Sequence, residues 1–140
     1  MLNYYSKSEP NKLIFSMVKK GEITYGRQNL TPDSEFIQAG VKKNKAGDFF
    51  KAHRHLLCTK VVTITQEAWV ILNGKALATF YDLDGELLVQ VEVGDGDCVV
   101  IYNGGHSLQI LEDGTALYEF KNGPYFGALK DKEYLVVDNE

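Results

Sequence analysis

A chain of 140 residues, 44% hydrophobic and 24% charged, suits one globular domain whose core needs no disulfide staples. The net charge of −4 and pI near 5.4 argue against nucleic acid or an anionic membrane as partner, since both are held through clustered Lys and Arg. The two cysteines, Cys58 and Cys98, make neither a zinc knuckle nor a secreted disulfide framework, so a reduced, cytoplasmic protein is expected.

The N-terminal stretch MLNYYSKSEPNK lacks the basic region and apolar core of a signal peptide, and no apolar run approaches membrane-spanning length. LIFSMV, residues 13–18, predicts a short apolar strand closed by Lys19, Lys20 and Gly21. Residues 22–33 are polar and irregular up to Thr31 and Pro32. EFIQAGV, after Ser34, reads as a strand, with a first helical turn as the alternative. The one basic cluster, Lys42 to Lys45, reads as a solvated turn, and Ala46-Gly47 turns the chain into DFFKAHRH. His53 and His55 lie two apart there, so on a strand both imidazoles project from one face, the geometry of a shared metal.

Residues 67–93 predict a meander of three strands. Asn73-Gly74 and Asp84-Gly85 are both type I′ hairpin signals. Two-residue loops would set Glu67 opposite Phe80, Trp69 opposite Ala78 and Ile71 opposite Ala76, then Phe80 opposite Val89 and Ala78 opposite Val91. The resulting interior face is Trp69, Ile71, Ala76, Ala78, Phe80, Val89, Val91 and Val93; Lys75, Thr79, Tyr81, Gln90 and Glu92 lie outside. Glu67 belongs to the interior face, where a carboxylate requires a cation or a set of donors. DGDCVVIYNGG then reads as a buried strand ending in a Gly-Gly turn, after which HSLQIL alternates and places His106 inward. TALYEFKNGPYFG continues as strand and turn, and DKEYLVVDNE is a surface strand or a loose end. Short strands at this spacing indicate a closed barrel or a sandwich.

Each signal also has an ordinary structural meaning. A histidine on an apolar face is usually a core residue, and H-x-H arises by chance. What points to a metal is the conjunction of all three histidines and an inward glutamate on strands able to converge. Trp69 is first of all core mass, and Cys98 a small apolar core residue. Glu119 and Lys121 share one face, turned either to a cavity or to water, the solvated pair being the simpler reading. Gly104-Gly105 serves a turn that re-aims His106.

The order H-x-H, a glutamate followed by six residues and then a glycine (Glu67 to Gly74), a Gly-Asp strand and GGH resembles the two motifs of the cupin superfamily over roughly residues 34–125. HRH, TQE, GGH and KNGPY are similar, more narrowly, to small single-domain cupins associated with sugar-nucleotide or polysaccharide biosynthesis. The resemblance implies an all-β, jelly-roll barrel at residues 34–125, with residues 1–33 packing on it and 126–140 as a tail. It maps metal ligands onto His53, His55, Glu67 and His106, for a divalent Fe, Mn, Ni or Zn ion. Eleven residues separate His55 from Glu67, a longer interval than the family pattern; without Glu67 a three-histidine site remains. It further implies a homodimer formed through edge strands, with LIFSMV lying across the partner.

Two functional classes follow. One is a metal-dependent enzyme, an isomerase, epimerase or oxygenase acting on a small polar substrate such as a sugar derivative, with Glu119, Lys121, Tyr118 and Tyr125 as candidate acid or base groups. The other is a binding or sensing module that holds a sugar or carboxylate without turning it over.

Overall fold

The computed structural model describes residues 1–136. Ten short strands dominate: β1 Leu2–Tyr5, β2 Leu13–Val18, β3 Gly26–Asn29, β4 Gly40–Lys43, β5 Glu67–Asn73, β6 Lys75–Tyr81, β7 Leu87–Gly94, β8 Cys98–Ile101, β9 Gly105–Ile110 and β10 Ala116–Lys121. Among the described residues a 3-10 turn spans Lys20–Glu22 and one α-helical turn, α1, spans Ala128–Asp131. None of the described helices is long and apolar enough to cross a membrane.

The strands form a five-stranded sheet in the order β1-β2-β8-β5-β10, a three-stranded sheet β7-β6-β9 and a ribbon β3-β4; the described residues form no closed barrel. Period-two alternation sends Phe15, Met17, Trp69, Ile71, Val99 and Ile101 from the large sheet against Ala76, Ala78, Phe80 and Val93 from the small one. The Phe15 and Phe80 rings stack across this core with centroids 3.6 Å apart. Leu13, Val18, Ala68, Val100 and Tyr102 face the other way, into a second core that Leu30 closes with Ile23, Ile37, Ala39 and Val41 packed around it. Both faces of the large sheet are therefore covered around its central strands, which is why all six residues of β2 are buried.

Several expectations need correction. LIFSMV is a strand, but it lies between β1 and β8 and is no edge, because the polar-looking LNYY supplies a neighbouring strand. The edges of that sheet are β1 and β10. The strand expected in EFIQAGV begins only at Gly40, where it pairs with β3, a strand inside a segment that reads as irregular. DFFKAHRH is not a strand: residues 48–63 have no regular structure and are exposed, with no partner to complete a ladder. The tail, expected as a surface strand or a loose end, forms α1 and an irregular stretch to residue 136; residues 137–140 lie outside the described residues.

The two hairpin signals part company. Asp84-Gly85 joins paired strands, and Phe80 faces Val89 and Ala78 faces Val91 as expected, with a register shift only at Tyr81. Asn73-Gly74 instead carries the chain from one sheet to the other. Strand β5 already has β8 on one side and β10 on the other, so neither edge is left for β6. The corner is fixed by Asn73 Nδ2 donating to the Gly114 carbonyl (2.7 Å), the Gly74 N–H donating to Asp95 (2.7 Å), and Thr115 packing where a Gly74 side chain would lie. Gly74 has φ +86°, which only glycine adopts without strain.

Asp82, at the end of β6, anchors the N-terminal segment. Its buried carboxylate accepts the N–H groups of Lys7 (2.6 Å), Ser8 (3.2 Å) and Leu83 (2.7 Å). Burial alone would raise its pKa, but hydrogen bonds from Ser6 and these N–H groups outweigh it and hold the group at about 2, against 3.8 ordinarily. The folded-state value is depressed, so the associated stability is present in full above pH 3.8 and is lost as pH falls from there through about 2. Asp82→Asn should flatten that part of the stability profile. Urea denaturation at a series of acid pH values reads the change, and an unaltered slope would refute the assignment.

Candidate functional site

The site follows from the register of β10 on β5. Lys121 pairs with Glu67 and Glu119 with Trp69, so all four side chains share the face turned to the core. Strand β9, paired with β6 in the other sheet, delivers His106 opposite Phe80. Its ring meets Trp69 edge-on, 5.3 Å between centroids. These groups line a cavity of about 720 Å³ at one end of the sandwich, which residues 131–135 border from the tail.

Glu67 is the focus. Its side chain is only 9% exposed; one oxygen accepts the Trp69 indole N–H, and the other lies 3.0 Å from Lys121 Nζ. The Lys121 ammonium, 28% exposed, also reaches Glu119 (3.2 Å) and Asp131 (4.0 Å). Asp131 is fixed in turn by the Thr65 hydroxyl, which donates to it at 2.7 Å. Desolvation pulls the Lys121 pKa down, but bonds to Glu67 and Glu119 more than compensate and leave it above its ordinary value, so the ammonium stays charged.

His106 behaves differently. Desolvation lowers its pKa below 6.5; the Glu67 charge opposes this and Lys121 reinforces it. The imidazole is therefore neutral at pH 7. Its Nε2 is 3.9 Å from Glu67, too far for a hydrogen bond, and its side chain keeps 32% exposure. A neutral imidazole open to a cavity is a proton acceptor, and beside it stand a paired carboxylate and a fixed positive charge.

The structure thus gathers Glu67, His106, Glu119 and Lys121: the β10 register sets Glu119 and Lys121 along the cavity, where Glu119 remains 53% exposed to water. Tyr118 and Tyr125 are exposed and do not line the cavity. Gln66 points to the opposite face, as expected, where it accepts the Ile37 N–H (2.9 Å) and donates to Glu35 (2.6 Å). His53 and His55 are not brought to the site. They lie exposed in the irregular segment, ring centroids 5.7 Å apart, with His53 Nδ1 bonded to the Lys51 carbonyl at 2.9 Å. Among the described residues no group of three or more His, Cys, Asp or Glu side chains is placed to hold a metal. As arranged, the donors do not fit a divalent ion, because an ammonium already occupies the charged face of Glu67.

Thr65 and Asp131 are the site residues that sequence reasoning misses. Thr65 carried a signal, since it lies two before Glu67 on the same alternation. Asp131 carried none, being one charge in a charged tail. Among known proteins, the chain matches no family model, no curated protein and no solved structure, so it is assigned to no family and the geometry carries the functional reading.

Proposed function

We infer that the protein binds a small polar molecule, of the size of a sugar derivative, in the cavity walled by Glu67, Trp69, His106 and Lys121. The observation that carries this is the convergence of a carboxylate, a neutral imidazole and an ammonium, from three strands of two sheets, on one cavity. If the molecule is turned over, isomerase or epimerase chemistry suits these groups: His106 accepts a proton from carbon while Lys121 holds the developing negative charge. Glu67 fixes the ammonium, and Glu119 shares it. A module that only holds the molecule would use the same contacts without proton transfer.

The cupin-like jelly roll belongs to this reading. It is supported by the way the chain alternates between sheets, with β5 in the large sheet, β6 and β7 in the small, β8 in the large, β9 in the small and β10 in the large. Two free cysteines support a cytoplasmic location.

Trp69 supplies the test, because it is the chain's single tryptophan and its indole touches Glu67. Titration with hexoses and nucleotide sugars should change its fluorescence saturably, and Lys121→Ala should weaken the response by about tenfold or more. A response absent with every compound would refute the reading. Solvent exchange into deuterated water separates the two classes: an epimerase or isomerase washes deuterium into a bound sugar, and a binding module does not.

The divalent ion is the second reading, favoured by His106 and Glu67 already sharing one cavity wall. It requires the segment bearing His53 and His55 to move onto that wall and Lys121 to leave Glu67. Metal content of protein purified without chelator distinguishes the two. Stoichiometric metal that is lost in both His53→Ala and Glu67→Gln supports the ion; metal-free protein that still binds sugar supports the charged triad.

A further inference from the structure

The segment after β10 leaves the body of the protein at a fixed point and returns to it at the cavity. Asn122 is tied to the chain entering β5 by three hydrogen bonds: its N–H donates to the Gln66 carbonyl (3.3 Å), its Oδ1 accepts the Gln66 N–H (2.6 Å) and its Nδ2 donates to the Ile64 carbonyl (3.1 Å). A segment that completed the core would then bury its large apolar side chains, yet Tyr125, Phe126 and Leu129 all lie in water. Among them stands Gly127 with φ +96°, a conformation open to glycine and strained for other residues.

The segment regains the body at two places. Asp131, its side chain 12% exposed, accepts the Thr65 hydroxyl (2.7 Å) and is the most distant of the three carboxylates around Lys121, at 4.0 Å against 3.0 Å for Glu67 and 3.2 Å for Glu119. Leu135 lies over Gly105, in the space that a side chain on that residue would fill. Between these contacts Lys132, Glu133 and Tyr134 border the cavity, and Trp69, which lines the same cavity, is left only 4% exposed.

We propose that residues 123–136 are a lid over the cavity, hinged between Asn122 and Gly127 and latched by Asp131 on Thr65 and by Leu135 on Gly105. Opening breaks one charge-assisted hydrogen bond, one long ion pair and one small apolar contact, while the Glu67–Lys121 pair and the ladders of both sheets stay intact. Such an opening costs far less than unfolding, so the lid opens and closes many times within the life of the folded chain. Each opening admits solvent and solutes to the cavity. Each closure removes the contents from water, which strengthens the pull of Glu67 and Lys121 on whatever is held there. Only the lid's role as gate to a ligand rests on the binding proposed above.

The Trp69 indole N–H tests this on the full chain, because it is the single indole, is bonded to Glu67 at the cavity wall, and exchanges with solvent deuterium when the cavity opens. NMR in deuterated water should show it exchanging by a local opening, at a rate nearly independent of urea below the unfolding transition, since the lid exposes little surface. The buried Ile71 N–H, which donates to the Asp97 carbonyl, is the control for global unfolding and should exchange far more slowly. Thr65→Val removes one latch and Gly105→Ala displaces Leu135 from the other, and each should speed indole exchange about tenfold. Indole exchange that climbs with urea in step with Ile71 overturns the proposal, because the tail is then a fixed part of the fold. An indole that exchanges freely in wild type overturns it too, because the cavity is then open, and so does either variant at the wild-type rate. None of these outcomes requires a ligand, so the lid and the proposed binding fail separately.

Discussion

Lys121→Ala is expected to lower stability by about 2–3 kcal/mol, below the range for a fully buried ion pair because the ammonium is partly screened by water. The loss should arise almost wholly at Glu67, whose buried carboxylate would keep the Trp69 N–H and lose its cation. Adding Glu67→Gln to the same chain removes the stranded charge, so the double variant should recover roughly half of the loss or more. Urea denaturation of the four proteins gives the coupling directly. His106 offers an independent readout: Lys121 holds its pKa down and Glu67 pulls it up, so Lys121→Ala should move the NMR titration midpoint upward and Glu67→Gln downward. Strictly additive stabilities with an unmoved His106 would mean that the three groups do not form a unit.

Phe80→Ala should have the larger effect, about 3–5 kcal/mol, the range for deleting a fully buried aromatic side chain. Phe80 is fully buried and packs on Phe15 of the facing sheet, itself stacked on Tyr4 at 4.4 Å, so the deletion opens the core at its centre. A loss of that size is a large share of the stability of an ordinary domain, about 5–15 kcal/mol. Ile110→Ala, at an exposed position on β9, is the control and should change little. A Phe80→Ala protein within about 1 kcal/mol of wild type would show that the sheets do not meet there.

Much of this was legible in the sequence because alternation is local. The inward set from Trp69 to Val93 is the observed core even though β5 and β6 do not pair, since the face that a residue occupies depends on its own strand and not on its neighbour. Inward Glu67 followed from the same rule, and the β6–β7 register from the Asp84-Gly85 turn. Turn chemistry did not settle pairing at the other hairpin signal. Asn73-Gly74 has the residues of a tight hairpin, yet whether strands pair across it depends on which edges remain free, and β8 and β10 are supplied by later parts of the chain. Lys121 as the partner of Glu67 was hidden for that reason, fifty-four residues away and set by register. His53 and His55 show the converse limit: H-x-H says which way two rings point if the segment is a strand, and nothing about whether a partner makes it one.

The order of the large sheet also has a kinetic meaning. Among the described residues only β1–β2, β3–β4 and β6–β7 are local hairpins; β2 must wait for β8, and β5 for both β8 and β10. A chain leaving the ribosome therefore carries β2 and β5 with open edges until its final third has emerged, and distant pairings of this kind slow the search for the native sheet. The last of the described strands to be synthesised, β10, brings Lys121 to Glu67. Formation of the charged site and completion of the sheet are consequently the same late step, and ionic pairing at the cavity wall reports that folding has finished.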